Sequence, residues 1–449
     1  MTATPAAASL PAAAGKLGFW MTVALVVGNI IGSGVYLVPA SLAPYGRNGL
    51  SAWLLTATGA LVLAVVFAAL SRALPAEGGL YAYTRAAFGE VAGFVVAWGY
   101  WVSVWVGNAA IATGAVSYTS VIAPWIVSVP GASVLVTLAV VWLLTLVNCL
   151  GVRAAGWVQA VTTVLKLIPL LAIGLVGLFF VRGELVTAHA DVPLSLDATT
   201  AAATLTLWAL LGLESATVPA DKVQDPGRTI PRATLVGTLV SALVCALSCS
   251  IVLVVVPQAR LASTNAPFAD AAEILFGTGA GALVAVFAAI SAYGALNGWI
   301  LLQGELPSAL ARDGLFPRVF GRLSRRGAPT LALVSTSLLV SGLVLMNFHK
   351  SLVEVFTFMI LLSTTASLVA YLACSLALLV LLRSGRVTSR SAAWLAAAGA
   401  LGASYSLWAI AGAGRGAVLW GTILILAGLP VYALMRRATA RHVEPPARA

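Results

Sequence analysis

A single acidic residue stands inside a long apolar stretch of this chain. Glu214 lies in the segment LTLWALLGLESATVPA, among leucines, alanines and small polar residues. A charged group at membrane depth is costly, and such groups usually mark the path of an ion, a proton or a substrate. Glu214 is therefore a candidate for proton coupling or gating.

A second candidate site is the glycine-rich segment GNIIGSG (residues 28–34), which interrupts the first apolar stretch and contains Asn29 and Ile30. A helix break at Gly32, Ser33 and Gly34 would leave the second half-helix with unpaired N–H groups at the positive end of its dipole. Such an end binds a carboxylate. Bilayers tolerate a broken helix only where its backbone lines a cavity.

The apolar stretch that contains Glu214 has a corresponding position, Gly212, at which its helix is expected to be weakened, and Pro219 lies downstream. A break there would leave free carbonyl groups around Trp208 and Leu211, which suit an ammonium group. Together the two breaks would hold the zwitterionic part of an α-amino acid. The alternative is that these glycines serve helix packing, as many membrane glycines do.

Other polar and aromatic groups in the apolar stretches allow two interpretations each. Indole faces bind cations, yet tryptophans also pack or form interfacial belts. Both readings apply to Trp208 and Trp299, whereas Trp101 and Trp105 fit packing better. Interhelical hydrogen bonding is the alternative to binding for four polar residues, Asn29, Ser103, Asn108 and Ser363.

Lys166 is the one basic residue that falls within an apolar stretch. Its ammonium group either snorkels to the membrane surface or lies inside the bundle. Its position near mid-stretch favours the interior, near the first span. A fixed ammonium there would replace a bound sodium ion or take part in proton coupling.

The composition identifies lipid as the solvent of these residues. The 449-residue chain is 61% hydrophobic and 9% charged, whereas soluble domains are roughly 45–50% apolar and about 25% charged. The Ala-rich start lacks a basic region before a short apolar core, so we expect no cleaved signal peptide. Four cysteines lie in apolar runs without histidine or acidic neighbours, so we expect packing rather than a metal site, and no cofactor.

Twelve membrane-spanning helices of about 20 residues fit the apolar stretches. They are predicted at 18–43, 50–71, 90–120, 131–150, 155–181, 199–219, 233–256, 278–304, 329–346, 354–382, 393–412 and 416–435. Breaks in spans 1 and 6, five spans apart, are the mark of an inverted-repeat transporter with a midplane site. We therefore divide the chain into a tail (1–17), a transport core of spans 1–10 (18–382), spans 11–12 (383–435) and a second tail (436–449).

The net charge of +11 reflects topology rather than a nucleic-acid ligand. Of the 25 Lys and Arg residues, nineteen fall in the tails and the even-numbered loops and five on the opposite side. The positive-inside rule then places both termini in the cytoplasm. The expected location is the inner (plasma) membrane.

Several collinear motifs resemble the amino acid–polyamine–organocation superfamily over about residues 18–435. They are GNIIGSGVYLVPASLA, EGGLYAYTRAAFG, LWALLGLESA with DPGRTIPRA, GALNGWILL with ARDGLFPRVF, and SLVAYLACSLALL. The chain is most similar to the arginine/agmatine antiporter and to the ornithine/putrescine and lysine/cadaverine exchangers. The resemblance implies an all-α, LeuT-like fold, a five-plus-five inverted repeat with two extra C-terminal helices, commonly as a homodimer.

The resemblance also implies roles for single residues. Gly32, Ser33 and Gly34 would receive the substrate carboxylate, and Glu214 would couple release to protons. Trp299 would stack on the substrate's guanidinium, with Trp208 as middle gate and Tyr100 as outer gate. The positions near the distal guanidinium correspond to Ser103, Asn108 and Ser363. Two features depart from the arginine/agmatine antiporter: Lys166, and the apolar pair Val104 and Ile111 in the distal pocket.

The sequence thus predicts a secondary antiporter that exchanges arginine or another basic amino acid for an amine such as agmatine. The alternative is a proton-coupled or exchange permease for neutral amino acids that uses Lys166. A membrane sensor or membrane-embedded enzyme fits less well, because no soluble output domain and no nucleophile–base pair is visible in the sequence.

Overall fold

A computed structural model describes residues 17–32, 34–75, 79–150, 165–181, 192–217, 220, 223–347 and 349–443. Apart from an isolated bridge between Leu17 and Val223, the regular elements of this part are helical. The helices are α1 Phe19–Ile30, α2 Gly34–Leu42, α3 Asn48–Ala73, α4 Leu80–Phe88, α5 Glu90–Ile122, α6 Trp125–Ser128, α7 Ala132–Cys149, α8 Leu165–Phe179, α9 Leu196–Trp208, α10 Pro226–Val255, α11 Gln258–Ser263, α12 Pro267–Phe276, α13 Ala280–Arg312, α14 Thr330–Met346, α15 Leu352–Arg383, α16 Ala392–Gly412, α17 Gly414–Leu426 and α18 Gly428–Val443.

The described residues contain nine helical segments that are long and apolar enough to cross a membrane. Two shorter apolar helices, α8 and α14, fall at the predicted spans 5 and 9. Large hydrophobic side chains on the outer helix faces are exposed, such as Leu54 at 73% and Met346 at 78%. A multi-pass membrane protein explains these faces, because lipid covers them. The count of twelve spans and the inverted repeat stay predictions, since part of span 5 lies outside the described residues.

Spans 1 and 6 differ from the other long spans in having interrupted helices. The first span consists of α1 and α2, which are separated between Ile30 and Gly34. The sixth was predicted as one stretch to residue 219, but α9 ends at Trp208. Turns follow it, and a short 3₁₀ helix then forms at Ser215–Thr217.

The two long helices α5 and α13 form the centre of the bundle. Each has 33 residues, or about 50 Å at 1.5 Å per residue, which exceeds the roughly 30 Å hydrocarbon core. Helix α5 packs against α13 and α15, and α2 packs against both α9 and α15. Helix α2 also contacts α5, so span 1 lies against the central pair, and both interrupted spans lie against α15 beside it. A midplane site would form there.

Candidate functional site

The interruption of the first span places backbone N–H groups in the interior. Helix α1 is closed by a bond from the N–H of Ile31 to the carbonyl of Val27 at 2.9 Å. The N–H of Gly32 donates to the carbonyl of Ile30 at 2.9 Å. The tight turn therefore occupies the N–H of Gly32, and the role of Gly32 towards a carboxylate stays a prediction. The first N–H groups of α2, which starts at Gly34, have no acceptor within their helix. Ser33 lies outside the described residues.

The interruption of the sixth span presents carbonyl groups. Gly212 has φ +101°, a conformation that glycine adopts without strain. The N–H of Leu211 donates to the carbonyl of Trp208 at 3.3 Å, so the predicted free carbonyl at Trp208 is partly engaged. Among the described residues, no donor is found for the carbonyls of Ala209 and Leu211. Pro219 lies outside the described residues.

The two interruptions contact each other through two glycines. A Cβ atom at Gly212 would lie 3.1 Å from the carbonyl oxygen of Asn29. One at Gly34 would lie 2.2 Å from Nε1 of Trp208. A side chain at Gly34 would therefore displace the indole, and one at Gly212 would press on the Asn29 carbonyl.

A cavity opens at this contact. Most of the residues proposed from the sequence line it, and five further residues complete the wall. The predicted ones are Asn29, Ile30, Gly32, Gly34, Tyr100, Ser103, Trp208, Leu211, Glu214, Trp299 and Ser363, and the others are Val104, Gly107, Ile111, Ala209 and Ser367.

Two predicted residues lie behind the cavity wall. The side chain of Asn108 is fully buried and donates to Oε1 of Gln303 at 2.7 Å. This is the interhelical hydrogen bond that the sequence left open as an alternative, and the binding role of Asn108 stays a prediction. Lys166 is also absent from the wall.

The indole of Trp208 extends across the cavity from span 1 to span 3. Its Nε1 edge lies against Gly34, and a Cβ at Gly107 would be 2.7 Å from its Cη2 atom. The side chains of Trp208 and Trp299 are both half-buried and both face the cavity. The wall therefore offers two indoles, one of which bridges two helices.

Glu214 is held by two tyrosine hydroxyl groups. The Tyr100 hydroxyl donates to Oε1 at 2.6 Å, and the Tyr371 hydroxyl donates to Oε2. The carboxyl group is 1% exposed, and no ion pair with it is found among the described residues. Hydrogen bonds from two hydroxyl groups thus take the place of a counterion.

Glu214, Tyr100 and Tyr371 form a hydrogen-bonded triad, and Tyr371 is the residue of this triad that was not predicted from the sequence. It stands in the quoted motif SLVAYLACSLALL, which offered a signal, but a tyrosine in an apolar run is ordinary. Its partner Glu214 is 157 positions away in the sequence. Only the fold brings the two side chains together.

The position of Tyr100 along α5 is near the end of that helix that contacts the C-terminal helix. Tyr100 is ten residues from the Glu90 end of α5, or about 15 Å. Glu90 forms an ion pair with Arg436 of the C-terminal helix α18 at 3.3 Å. The gate role of Tyr100 stays a prediction.

Lys166 connects span 5 to both halves of the interrupted span 1. Its ammonium group, 1% exposed, donates to the carbonyl of Gly28 in α1. Its own carbonyl accepts from the hydroxyl of Tyr36 in α2 at 2.5 Å. The predicted interior position near span 1 is what the structure shows, and no ion pair of Lys166 is found in the part of the chain described.

Comparison with known proteins agrees with this architecture. The sequence model of the amino acid permease family matches residues 17–435. The chain belongs to the amino acid permease family. The permease is therefore a transporter rather than an enzyme, as the sequence predicted.

Three relatives show how far the similarity extends. The permease is 30% identical over 427 residues to the putrescine transporter PotE of Haemophilus influenzae, covering 94% of this chain and 98% of the relative. It is 31% identical over 390 residues to a putative arginine/ornithine antiporter of Bacillus subtilis, covering 80% and 82%. It is 33% identical over 339 residues to the cadaverine/lysine antiporter of Escherichia coli, covering 74% of each chain.

The contact between Gly34 and Trp208 predicts different effects for two neighbouring glycines. Gly34→Ala should weaken substrate binding at least tenfold, since overpacking typically costs about 1–3 kcal/mol and here displaces the indole. Gly32→Ala is the matched control, because its new Cβ would meet only Ala295 at 3.7 Å. Binding of radiolabelled arginine to the purified permease measures both. Equal affinity for the Gly34→Ala variant and the wild type would remove this contact from the site.

The bonds of Lys166 predict transport without sodium. The ammonium group stands against the first half of span 1 as a bound cation would, so Lys166→Ala should lower the maximal rate more than the apparent affinity. Tyr36→Phe removes the second link but keeps the ammonium, and should cost less. Uptake into vesicles in sodium and in choline buffers, with rates and KM for each variant, tests this. Strict sodium dependence of the wild type would contradict it.

Proposed function

We propose that the permease is a secondary antiporter of the inner membrane that exchanges an external basic amino acid for an internal amine or basic amino acid. Arginine is the first candidate for import and agmatine for export. The observation that carries the proposal is the wall of the cavity. It combines two helix interruptions, two indoles and one carboxyl group. Among the lining residues described, none is a lysine, arginine or histidine.

The two interruptions suit the invariant part of an amino acid. The N–H groups at the start of α2 attract a carboxylate, because they are unpaired in their helix and lie at its positive end. The carbonyls of Ala209 and Leu211 suit the α-ammonium group. Since Gly34 and Gly212 keep the interruptions in contact, one amino acid would reach both.

The remaining wall suits a cationic side chain. The hydroxyl of Ser103 donates to the carbonyl of Tyr100 at 2.7 Å, and that of Ser363 donates to the carbonyl of Ser103 at 2.7 Å. With their protons committed, both oxygens act only as acceptors towards a ligand. Acceptors, indole faces and a lone carboxyl group favour a hydrogen-bond-donating cation.

The names of the relatives support the substrate class rather than one substrate. Those names include arginine, ornithine, lysine, putrescine and cadaverine. A basic amino acid and its amine product share the cationic end that the wall suits. Agmatine enters through the resemblance to the arginine/agmatine antiporter and through this shared chemistry.

Alternating access would use two barriers within the cavity. The Trp208 indole, which bridges Gly34 and Gly107, would close one side over the substrate. The Tyr100–Glu214–Tyr371 triad would close the other, which the predicted topology makes the cytoplasmic side. Both barriers include residues of the interrupted span 6, so a movement of that span would shift them together. Both termini would be cytoplasmic, and a homodimer is the expected assembly.

One observation favours a second function, the exchange of neutral amino acids. Val104 and Ile111 make part of the wall apolar, and the ammonium group of Lys166 is buried beside span 1. A neutral side chain would fit such a wall. Counterflow of radiolabelled arginine in proteoliposomes, with unlabelled arginine, ornithine, lysine, agmatine, putrescine and leucine inside, separates the two functions. Absence of arginine counterflow, together with counterflow of radiolabelled leucine in the same proteoliposomes, would establish the second.

The indole of Trp299 predicts a selective loss of basic substrates. A cation–π contact in a dry site is worth about 2 kcal/mol or more, roughly thirtyfold in affinity. Trp299→Leu should therefore weaken arginine far more than a neutral amino acid, and Trp299→Phe should retain part of the preference. Competition by unlabelled substrates measures the ratio. An equal loss for both classes would mean that the ring only packs or gates.

The triad predicts how exchange depends on pH. Protonation of Glu214 removes its negative charge, so the carboxyl group accepts more weakly from the two tyrosines and the barrier loosens. Glu214→Gln, which imitates the neutral form, should bind substrate yet show a flattened pH–rate profile. Tyr371→Phe keeps the carboxyl group and should retain the pH dependence. Exchange rates of the wild type and both variants, measured across pH 5–8, test this role of Glu214. A wild-type profile in Glu214→Gln would place the proton sensor elsewhere.

A further inference from the structure

A chain of buried hydrogen bonds runs from the interior of the bundle to the cavity wall. Helix α7 contributes Val141 and Thr145, helix α14 contributes Ser337, helix α13 contributes Gln303 and helix α5 contributes Asn108. All five residues are at most 1% exposed. They join four helices, none of which is interrupted.

Each hydroxyl in this chain has a determined direction. Thr145 donates its proton to the carbonyl of Val141 at 2.7 Å. A hydroxyl has a single proton, so in the 2.7 Å contact between Thr145 and Ser337 the donor is Ser337. The hydroxyl of Ser337 is then committed as well, and its oxygen accepts from Nε2 of Gln303 at 2.8 Å.

The direction continues through the two amides. With its NH₂ group on Ser337, Gln303 turns its carbonyl oxygen to Asn108, whose Nδ2 donates to it at 2.7 Å. The free end of the Asn108 amide is therefore its carbonyl oxygen. That oxygen is buried and has no hydrogen-bond partner in the part of the chain that the structure describes.

Asn108 lies directly behind the wall of the distal pocket. Gly107 precedes it, Val104 is four residues earlier and Ile111 three residues later, and all three line the cavity. Residues three and four apart share a helix face, so Asn108 lies on the face of α5 that is turned to the cavity, directly behind the lining residues. Its NH₂ group is bonded to Gln303, which is not among the lining residues that the structure describes.

We propose that Gln303 and Ser337 are positioning residues that set the polarity of the distal pocket, by fixing the Asn108 amide with its acceptor end free. A pocket of this polarity accepts a substrate end that donates hydrogen bonds, such as guanidinium or ammonium. It rejects a neutral end that presents a carbonyl, because two acceptors would face each other. The inference rests on the proposed transport of basic amino acids and names the residues that select the charge of the side chain.

Arginine and citrulline test this polarity, because citrulline is the neutral ureido analogue of arginine with nearly the same shape. The wild type should prefer arginine strongly in competition against radiolabelled arginine counterflow. Gln303→Met removes the amide at similar volume and frees Asn108 to turn its NH₂ group outwards. The preference for arginine over citrulline should then fall roughly tenfold, the value of about one satisfied buried polar group.

Variants at Ser337 test the same orientation of the amides with a smaller substitution than Gln303→Met. Ser337→Ala removes the acceptor that orients Gln303 and should lower the preference in the same direction, whereas Ser337→Thr keeps the hydroxyl and should restore it. Ser341→Ala is the matched control on α14, since its hydroxyl bonds to Trp142 and to the Ser337 carbonyl, outside the chain of donors. Its preference should equal that of the wild type.

The outcomes separate this inference from the proposed function. A wild type without arginine exchange would reject the proposed function and the inference with it. A wild type that exchanges arginine but does not discriminate against citrulline would overturn the inference alone. So would an unchanged preference in Ser337→Ala, a variant small enough to decide the question if Gln303→Met is unstable in detergent.

Discussion

The requirement that backbone groups find partners away from water governs this structure. In the hydrocarbon core an unpaired N–H or carbonyl costs several kcal/mol, so an interrupted helix persists only inside the protein. Here α1 and α2, and α9 with the turns after it, are interrupted at the same place. Each interruption covers the other, through Gly212 against Asn29 and Gly34 against Trp208. The groups that remain unpaired point to a cavity, and a zwitterion is the ligand whose charges match them.

The same requirement explains how the buried carboxyl group of Glu214 is held. A carboxyl group inside a bundle needs a cation or several hydrogen bonds. The permease uses the hydroxyl groups of Tyr100 and Tyr371, which leave the group free to change its protonation state without releasing an ion. Such an arrangement is suited to a barrier that opens and closes, because its opening would break hydrogen bonds from two hydroxyl groups rather than an ion pair.

Local signals in the sequence were enough for part of the site. Glycines at 32 and 34 mark a helix interruption by their own conformational freedom, and Glu214 is conspicuous in its apolar surroundings, so both were predictable. The indoles of Trp208 and Trp299 were candidates from the sequence as well, and family resemblance added Tyr100; all three residues line the cavity. The partner of each group was not predictable. Tyr371 meets Glu214 across 157 positions and Asn108 meets Gln303 across 195, and only tertiary packing sets such pairs. The bond that occupies the N–H of Gly32 likewise depends on how tightly the turn closes.

The uninterrupted helices and the interrupted spans of the permease are held by different kinds of bond. Around Asn108 the bonds join uninterrupted helices through short side chains with committed protons, and no member carries a charge. Around the interrupted spans the bonds involve Lys166 and Glu214, whose strength depends on protonation, and the indole of Trp208, which packs without a hydrogen bond found in the described residues. Neutral, fully directed bonds resist rearrangement, whereas bonds to ionisable groups respond to pH and to a bound cation. Under the proposed function, the side of the cavity formed by α5 and α13 would therefore select the substrate. The side formed by spans 1 and 6 would be the one that moves.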